Sequence, residues 1–243
     1  SRGLGDVYKR QSDMFKALFK NDQAMTVVVS IILVYTSLNI CGNLVLYFFR
    51  FDVGNEGAYS IFAAVAFAAQ VLVMMVIPLL RKRFSKSRLF ISGFIIQIAG
   101  FAVILIMAFA KLYTPQSWYI LCLPGILIYL GYGMLNVIMT IFLSDSVDYG
   151  EVMNGTREES VIFSMQTFTV KLASGVAVFL AGLVVDWIHL DTAAAVQTQD
   201  TLNALRMWMT IPSVILLIVG IFVFKRFYKL DDTRMEEIKS KLN

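Results

Sequence analysis

The sequence predicts an all-α, polytopic membrane protein built as one unit of six transmembrane helices. Three observations carry this reading. The chain is 58% hydrophobic and only 16% charged, with mean hydropathy +0.72. A soluble domain is about 45–50% apolar and about 25% charged. The apolar residues fall into six long runs, each enough to cross a bilayer, for which about 20 residues suffice. The basic residues gather in alternate short loops, the pattern of a topology signal.

Residues 1–11, SRGLGDVYKRQ, differ in character from the rest. They resemble translated adaptor sequence at the ends of environmental sequence fragments and are set aside from fold reasoning. The natural protein is then expected to continue upstream of Ser12. Residues 12–24 read as a linker, 25–224 as the membrane bundle and 225–243 as a tail. The spans are Met25–Phe49, Ala58–Leu80, Leu89–Ala110, Trp118–Leu143, Val161–Trp187 and Leu205–Phe224. Trp118, Trp187 and Trp208 suit an interfacial belt. The tail predicts a short amphipathic helix, with Met235, Ile238 and Leu242 on one face. It is read as lying on the membrane, packing under the bundle or remaining solvated.

Lysine and arginine set the orientation. One side carries Lys16, Lys20, Arg81, Lys82, Arg83, Lys86, Arg88, Arg157, Lys225, Arg226, Lys229, Arg234, Lys239 and Lys241, fourteen in all. The other carries Arg50, Lys111 and Arg206. The richer side is expected to be cytoplasmic, with both chain ends inside. The Arg81–Arg88 loop reads as a positive-inside anchor or, alternatively, as a latch for acidic groups. Topology explains the pI of about 9.0, so nucleic acid is not an expected partner and membrane lipid is. The Asn154-Gly155-Thr156 sequon is discounted on the cytoplasmic side.

Several chemistries lack their residues. The sequence has no GxSxG, HExxH or phosphate-binding glycine loop, and no Cys/His pair. No catalytic residue and no metal site is therefore expected. Cys41 and Cys122 read as small packing residues within spans, and His189 as a solvated loop residue.

The polar residues inside the spans are the informative ones. Lys171 is the one charge between Val161 and Val185. A lysine near the bilayer centre costs about 2.5–3.5 kcal/mol on insertion scales, so it implies a polar surrounding. Helical steps of 100° put Ser164, Thr167, Gly175, Val178 and Gly182 within about 40° of it, a small and polar stripe read as cavity-lining. The fourth span carries Tyr129, Gly133, Asn136 and Thr140 at steps of three or four, with Tyr132 beside them. The first carries Tyr35, Asn39 and Asn43. Each stripe alone fits interhelical hydrogen bonding; such groups also suit a polyol through hydrogen bonds and ring stacking, and three stripes together suggest a shared aqueous path. Asp145, Asp148 and Glu151, at i,i+3, would crowd one face unless cations balance them, with Arg157 or Arg81–Arg88 as candidates. A salt-bridged cytoplasmic gate and a solvated helix end both fit.

The string Asp145-Ser-Val-Asp-Tyr-Gly-Glu151, then Arg157-Glu-Glu-Ser, then Gln166-Thr-Phe-Thr-Val-Lys171 strongly resembles the glycoside-pentoside-hexuronide:cation symporters. These include the melibiose permeases and belong to the major facilitator superfamily. Phe19-Lys-Asn-Asp-Gln23 and Phe227-Tyr-Lys-Leu-Asp231 look like the family's entry to helix seven and exit from helix twelve. The resemblance implies the C-terminal half of a major facilitator superfamily fold, helices seven to twelve. It implies a bacterial plasma-membrane symporter coupling sodium or protons to uptake of a sugar or glycoside. Lys171 would stand beside the sugar and cation sites with Thr167, and Asp145, Asp148, Glu151, Arg157 and Glu159 would form the cytoplasmic charge network. There are two departures. Asn136 stands where melibiose permeases have tryptophan, which puts melibiose itself in doubt. The family's cation-binding aspartates lie on N-terminal helices that this chain does not contain, so the N-terminal half is an expected partner. A non-transporting membrane scaffold or sensor on the same fold is the alternative.

Overall fold

The computed structural model describes residues 19–155, 157 and 159–242. The segment 1–11, most of the 12–24 linker with Lys16, Thr156 of the sequon and the Leu242 side chain lie outside the described residues. Seven helices are described in full among these residues: α1 Asp22–Tyr47, α2 Ala58–Leu80, α3 Lys86–Phe109, α4 Cys122–Asn154, α5 Glu159–Trp187, α6 Gln199–Phe227 and α7 Asp232–Leu242. The first six are long and apolar enough to cross a membrane. A π-helical turn, Phe48–Val53, extends α1 and ends at Gly54 in the left-handed region. A 3-10 turn, Trp118–Leu121, precedes α4.

The ends have local causes. Asn21 caps α1 by accepting from the Ala24 N–H at 2.9 Å, and Ser85 caps α3 through the Arg88 N–H. Thr198 caps α6 through the Thr201 N–H. Each satisfies a backbone donor that the first helical turn leaves free. Gly155, at φ 72, ends α4 in a conformation that costs an L side chain strain.

Two helices form the centre. α1 packs on α6 and α5, α4 packs on α3 and α2, and α1–α4 and α3–α6 contacts join the sets. Exchanging α1, α2 and α3 with α4, α5 and α6 leaves this pattern unchanged. Successive spans alternate in direction, so the two triplets run oppositely through the membrane, an inverted repeat. In the most apolar window of each span, burial is 61% for α1 and 56% for α4, but 28% for both α2 and α5. α2 and α5 therefore expose long apolar faces, including Phe67, Leu72, Met75, Phe168 and Phe179. That much exposed apolar surface requires lipid or another protein surface to cover it.

Glycine sets the tightest crossing. A Cβ on Gly131 of α4 would stand 2.5 Å from the Gly93 carbonyl oxygen and 2.6 Å from the Gln97 nitrogen of α3. Only a missing side chain lets these backbones meet. Around the crossing lie Phe90, Phe94, Phe101, Phe142 and Leu135, all fully buried.

α4 has 33 residues, which at about 1.5 Å per residue is about 50 Å. The hydrocarbon core is about 30 Å thick, so the last turns of α4 project beyond it. These turns carry the carboxylate string. The predicted fourth span ended at Leu143; the helix runs on to Asn154 because Asn21, Lys86 and α7 pack around its end.

Candidate functional site

The basic end holds the first cluster. Arg157, between α4 and α5, donates to Asp148 at 3.1 Å, Glu151 at 2.9 Å and Glu159 at 3.1 Å. These bonds, that to Glu151 foremost, raise the guanidinium above its ordinary pKa, so it stays charged at any working pH. Four of the five residues expected in the charge network thus share one centre.

Asp145 does not join them. An i,i+3 step falls 60° short of a full turn, so Asp145 and Glu151 point about 120° apart. Asp145 turns inward and pairs with Lys86 of α3. The side chains are 9% and 3% exposed, so this is a buried pair. Lys86 belongs to the loop read as an anchor. One of its five cations is instead a partner of α4, and a second, Arg81, binds Asp232 at 3.2 Å. Asp232 also lies 4.0 Å from Lys86.

α7 closes this end from below. Leu230, Met235 and Ile238 bury against Tyr149, Val152 and Tyr228. Gln23 of α1 accepts from the Lys229 N–H at 2.8 Å. The tail therefore packs under the bundle, one of the three placements expected. Asn21 ties the entrance of α1 to α4 by donating to the Ser146 carbonyl at 2.8 Å.

Midway along the spans, α1 and α4 meet through polar side chains. Asn136 donates to the Tyr35 hydroxyl at 2.6 Å. Tyr132 sets its ring edge-on to Tyr35, centroids 5.5 Å apart, and to Tyr129 at 6.5 Å. Asn39 and Asn43 spend their amide N–H on the carbonyls of Tyr35 and Asn39, each at 2.7 Å. Their side-chain oxygens accept no recorded hydrogen bond among the described residues. Tyr35, Asn39, Tyr129 and Asn136 are half-buried and Thr140 is exposed, donating to the Asn136 carbonyl at 3.1 Å. The first- and fourth-span stripes thus adjoin.

The fifth-span stripe adjoins the first-span stripe at one end, where Val178 and Gly182 line a hollow with Asn43. Thr169, Ala173, Ala177, Ala181 and Val184 are the buried face of α5. Ser164, Thr167, Lys171, Gly175 and Gly182 are all exposed. Thr167 donates to the Phe163 carbonyl at 3.3 Å. Lys171 has no hydrogen bond or ion pair among the described residues. A Cβ on Gly175 or Gly182 would meet nothing within 4 Å.

The opposite end carries a cluster that the sequence reading missed. Arg206, counted there among the charges of the less basic side, is inside α6 and 2% exposed. It donates twice to Asp52, at 2.8 and 2.5 Å, and to Asn203 at 3.0 Å. Asp52 also accepts from the Tyr113 hydroxyl at 2.6 Å. Burial, then the bond to Asp52, raises the Tyr113 pKa. The cluster pins the π-helical turn to α6 and to the α3–α4 loop. The acid-and-arginine pair was visible in the sequence; its 154-residue separation hid the pairing.

Comparison with known proteins follows the same lines. The profile of the family described as MFS/sugar transport protein matches residues 6–232. An uncharacterised symporter, YjmB, of Bacillus subtilis (strain 168) is 26% identical over 96% of this chain and 49% of its own length. The raffinose carrier protein of Pediococcus pentosaceus is 23% identical over 98% of this chain and 37% of its own. The isoprimeverose transporter of Lactiplantibacillus pentosus is 26% identical over 89% and 43%. The chain thus spans half or less of each of these relatives.

Proposed function

The chain belongs to the MFS/sugar transport protein family, whose members are transporters and not enzymes, and on that premise we propose that it forms the second half of a cation-coupled sugar importer. The six helices correspond to helices seven to twelve. Sodium or proton entry drives uptake of a glycoside, pentoside or hexuronide. The half rocks against an N-terminal half around a site near the membrane midplane. The relatives described as raffinose and isoprimeverose transporters support the substrate class.

The observation that carries the proposal is Lys171. It is a charge in the middle of a spanning helix, on a face that no described residue covers, beside Thr167, Ser164 and two glycines. Lipid on that face would leave the ammonium at a cost of about 2.5–3.5 kcal/mol. A polar path shared with an acidic partner helix removes that cost. In this reading Lys171 responds to cation or sugar occupancy, and Tyr35, Asn39, Asn43, Tyr129, Tyr132 and Asn136 line the same path from α1 and α4. The basic end faces the cytoplasm of a bacterial cell. There Arg157 with Asp148, Glu151 and Glu159, and Lys86 with Asp145, make contacts that form and release as the inner side closes and opens.

The test is Lys171→Val in the full-length transporter, read as cation-driven accumulation of labelled sugar in membrane vesicles. Coupled accumulation is expected to be lost while the protein still reaches the membrane. Normal accumulation in that variant would refute the role of Lys171.

A further inference from the structure

α5 and α6 each pack on α1 but scarcely on each other. Between them runs a seam whose floor is α1. We propose that this seam is a binding site for a phospholipid acyl tail from the leaflet on the less basic side. Such a site is separate from the sugar path and does not depend on which substrate is carried.

The walls of the seam offer carbon. Thr36 and Ile40 of α1, Val176 and Leu180 of α5, and Ile211 and Ile215 of α6 line a hollow of about 710 Å³. Within each helix these residues stand four apart, so three apolar stripes converge on one space. Among the described residues no charged side chain lines it. Thr36 brings the one hydroxyl, and its oxygen is buried with no hydrogen-bond partner. Apart from the Trp208 indole at one end, no side chain offers the hollow an accessible polar group. A polar ligand would leave its hydrogen bonds unmade there, a cost that a hydrocarbon chain does not carry.

Dimensions decide between a chain and a helix as the occupant. From Ile32 to Ile40 on α1, and from Met207 to Leu216 on α6, the hollow runs for about 12–14 Å. Its volume over that length gives a cross-section of about 50–60 Å². An α-helix with its side chains is about 10–12 Å wide and needs about 80–110 Å². A helix of a second copy or of another protein therefore does not enter the seam, whereas a slender hydrocarbon tail does. The floor residues Thr36 and Ile40 are buried, while Val176, Leu180, Ile211 and Ile215 on the two walls are exposed. The mouth thus opens away from the bundle, where the tails of the bilayer lie.

The depth of the hollow matches one leaflet. Trp208, at one end, stands 5.9 Å from Trp187, the last residue of α5, between ring centroids. Tryptophans at that level suit the boundary between headgroups and hydrocarbon. From there the hollow descends toward the middle of α6, over a length close to half of the about 30 Å hydrocarbon core. A tail entering beside the tryptophans therefore ends near the midplane. Val176 and Leu180 lie about 140–180° round α5 from Lys171, so the tail and the sugar path touch opposite sides of that helix.

The experiment reconstitutes the purified full-length transporter in phosphatidylcholine that carries a photoactivatable diazirine at mid-tail. After irradiation, lipid adducts are located by peptide mass spectrometry. Thr36 and Ile40, on the floor, are expected to carry adducts, as are Ile95 and Ile106 on the exposed face of α3, which bulk lipid reaches. Val176→Trp fills the hollow from an exposed wall position. It is expected to abolish the floor adducts and to leave those on α3 unchanged. Ile211→Trp fills it from the opposite wall and gives the same readout if Val176→Trp does not fold. Floor residues that stay unlabelled in wild type would overturn the site, and so would floor labelling that persists in both filled variants. An unlabelled floor together with a cross-linked pair of transporters would assign the seam to a second copy instead.

Discussion

Lys86→Met is the sharpest test of the packing at the basic end. Methionine reproduces the lysine stem, so the substitution opens little space, and its cost is that of stranding Asp145. The Asp145 side chain is 9% exposed and has Lys86 as its ion-pair partner among the described residues. Breaking a buried pair from one side typically costs about 3–5 kcal/mol. The converse change, Asp145→Leu, should cost less, because Lys86 keeps Asp232 at 4.0 Å. A partly exposed carboxylate at that distance recovers part of the loss, leaving about 1–3 kcal/mol. The double variant replaces a buried pair by apolar groups, which is often neutral. The three values therefore should not add: the double variant, being near-neutral, should be more stable than the sum of the singles by about 4–8 kcal/mol. The assay is unfolding of the purified full-length protein in detergent micelles, followed by tryptophan fluorescence, for wild type, both singles and the double. A coupling below about 0.5 kcal/mol, the limit of ordinary additivity, would refute a buried pair here.

At the opposite end, Asp52→Asn should cost about 3–5 kcal/mol, because it strands the 2%-exposed Arg206, whereas Tyr113→Phe should cost about 1 kcal/mol as one hydrogen bond. The same unfolding assay reads both, and equal losses would show that the cluster is not organised around Asp52. Gly131→Ala puts a methyl group 2.5 Å from a backbone oxygen, an overpacking that should cost about 1–3 kcal/mol. An unchanged midpoint would mean that α3 and α4 do not cross there. Met235→Asp should release α7, since a charge replaces a 3%-exposed side chain in its small core. Limited proteolysis after Phe227 is expected to accelerate, and an unchanged rate would argue that the ion pairs of Asp232 hold the helix without the apolar contact.

Much of the fold is legible along the chain because bilayer crossing is a local property. Hydropathy over about 20 residues decides a span, and the Lys/Arg distribution separates the two ends without any knowledge of packing. The candidate site is partly legible for the same reason. A lysine in the run from Val161 to Val185 is anomalous by itself. Helical periodicity alone gathers Tyr129, Asn136 and Thr140 on one face. Span ends read less well. Leu143 reads as a boundary because charge begins beyond it, yet α4 runs on through Asp145 to Asn154, and α6 begins at Gln199 rather than Leu205. At α4 a partner, Lys86, neutralises the charge, and hydropathy has no access to partners.

The sequence by itself determined six apolar helices, a basic end, an isolated mid-span lysine, a string of carboxylates around one arginine and an amphipathic tail. Each follows from composition or from periodicity within one element. Tertiary structure decided the pairings. Lys86 reaches Asp145 across 59 residues and Asn136 reaches Tyr35 across 101, while Arg206 reaches Asp52 across 154. Nothing local distinguishes Lys86 from the four other cations of its loop; burial beneath α7 and proximity to α4 do. Periodicity put Asp145 and Glu151 in one cluster, and the 60° drift of each i,i+3 step divided them between two partners. Tertiary structure also left Lys171 on an open face. α5 packs its alanine face on α1, and the opposite face has no neighbour among the described residues.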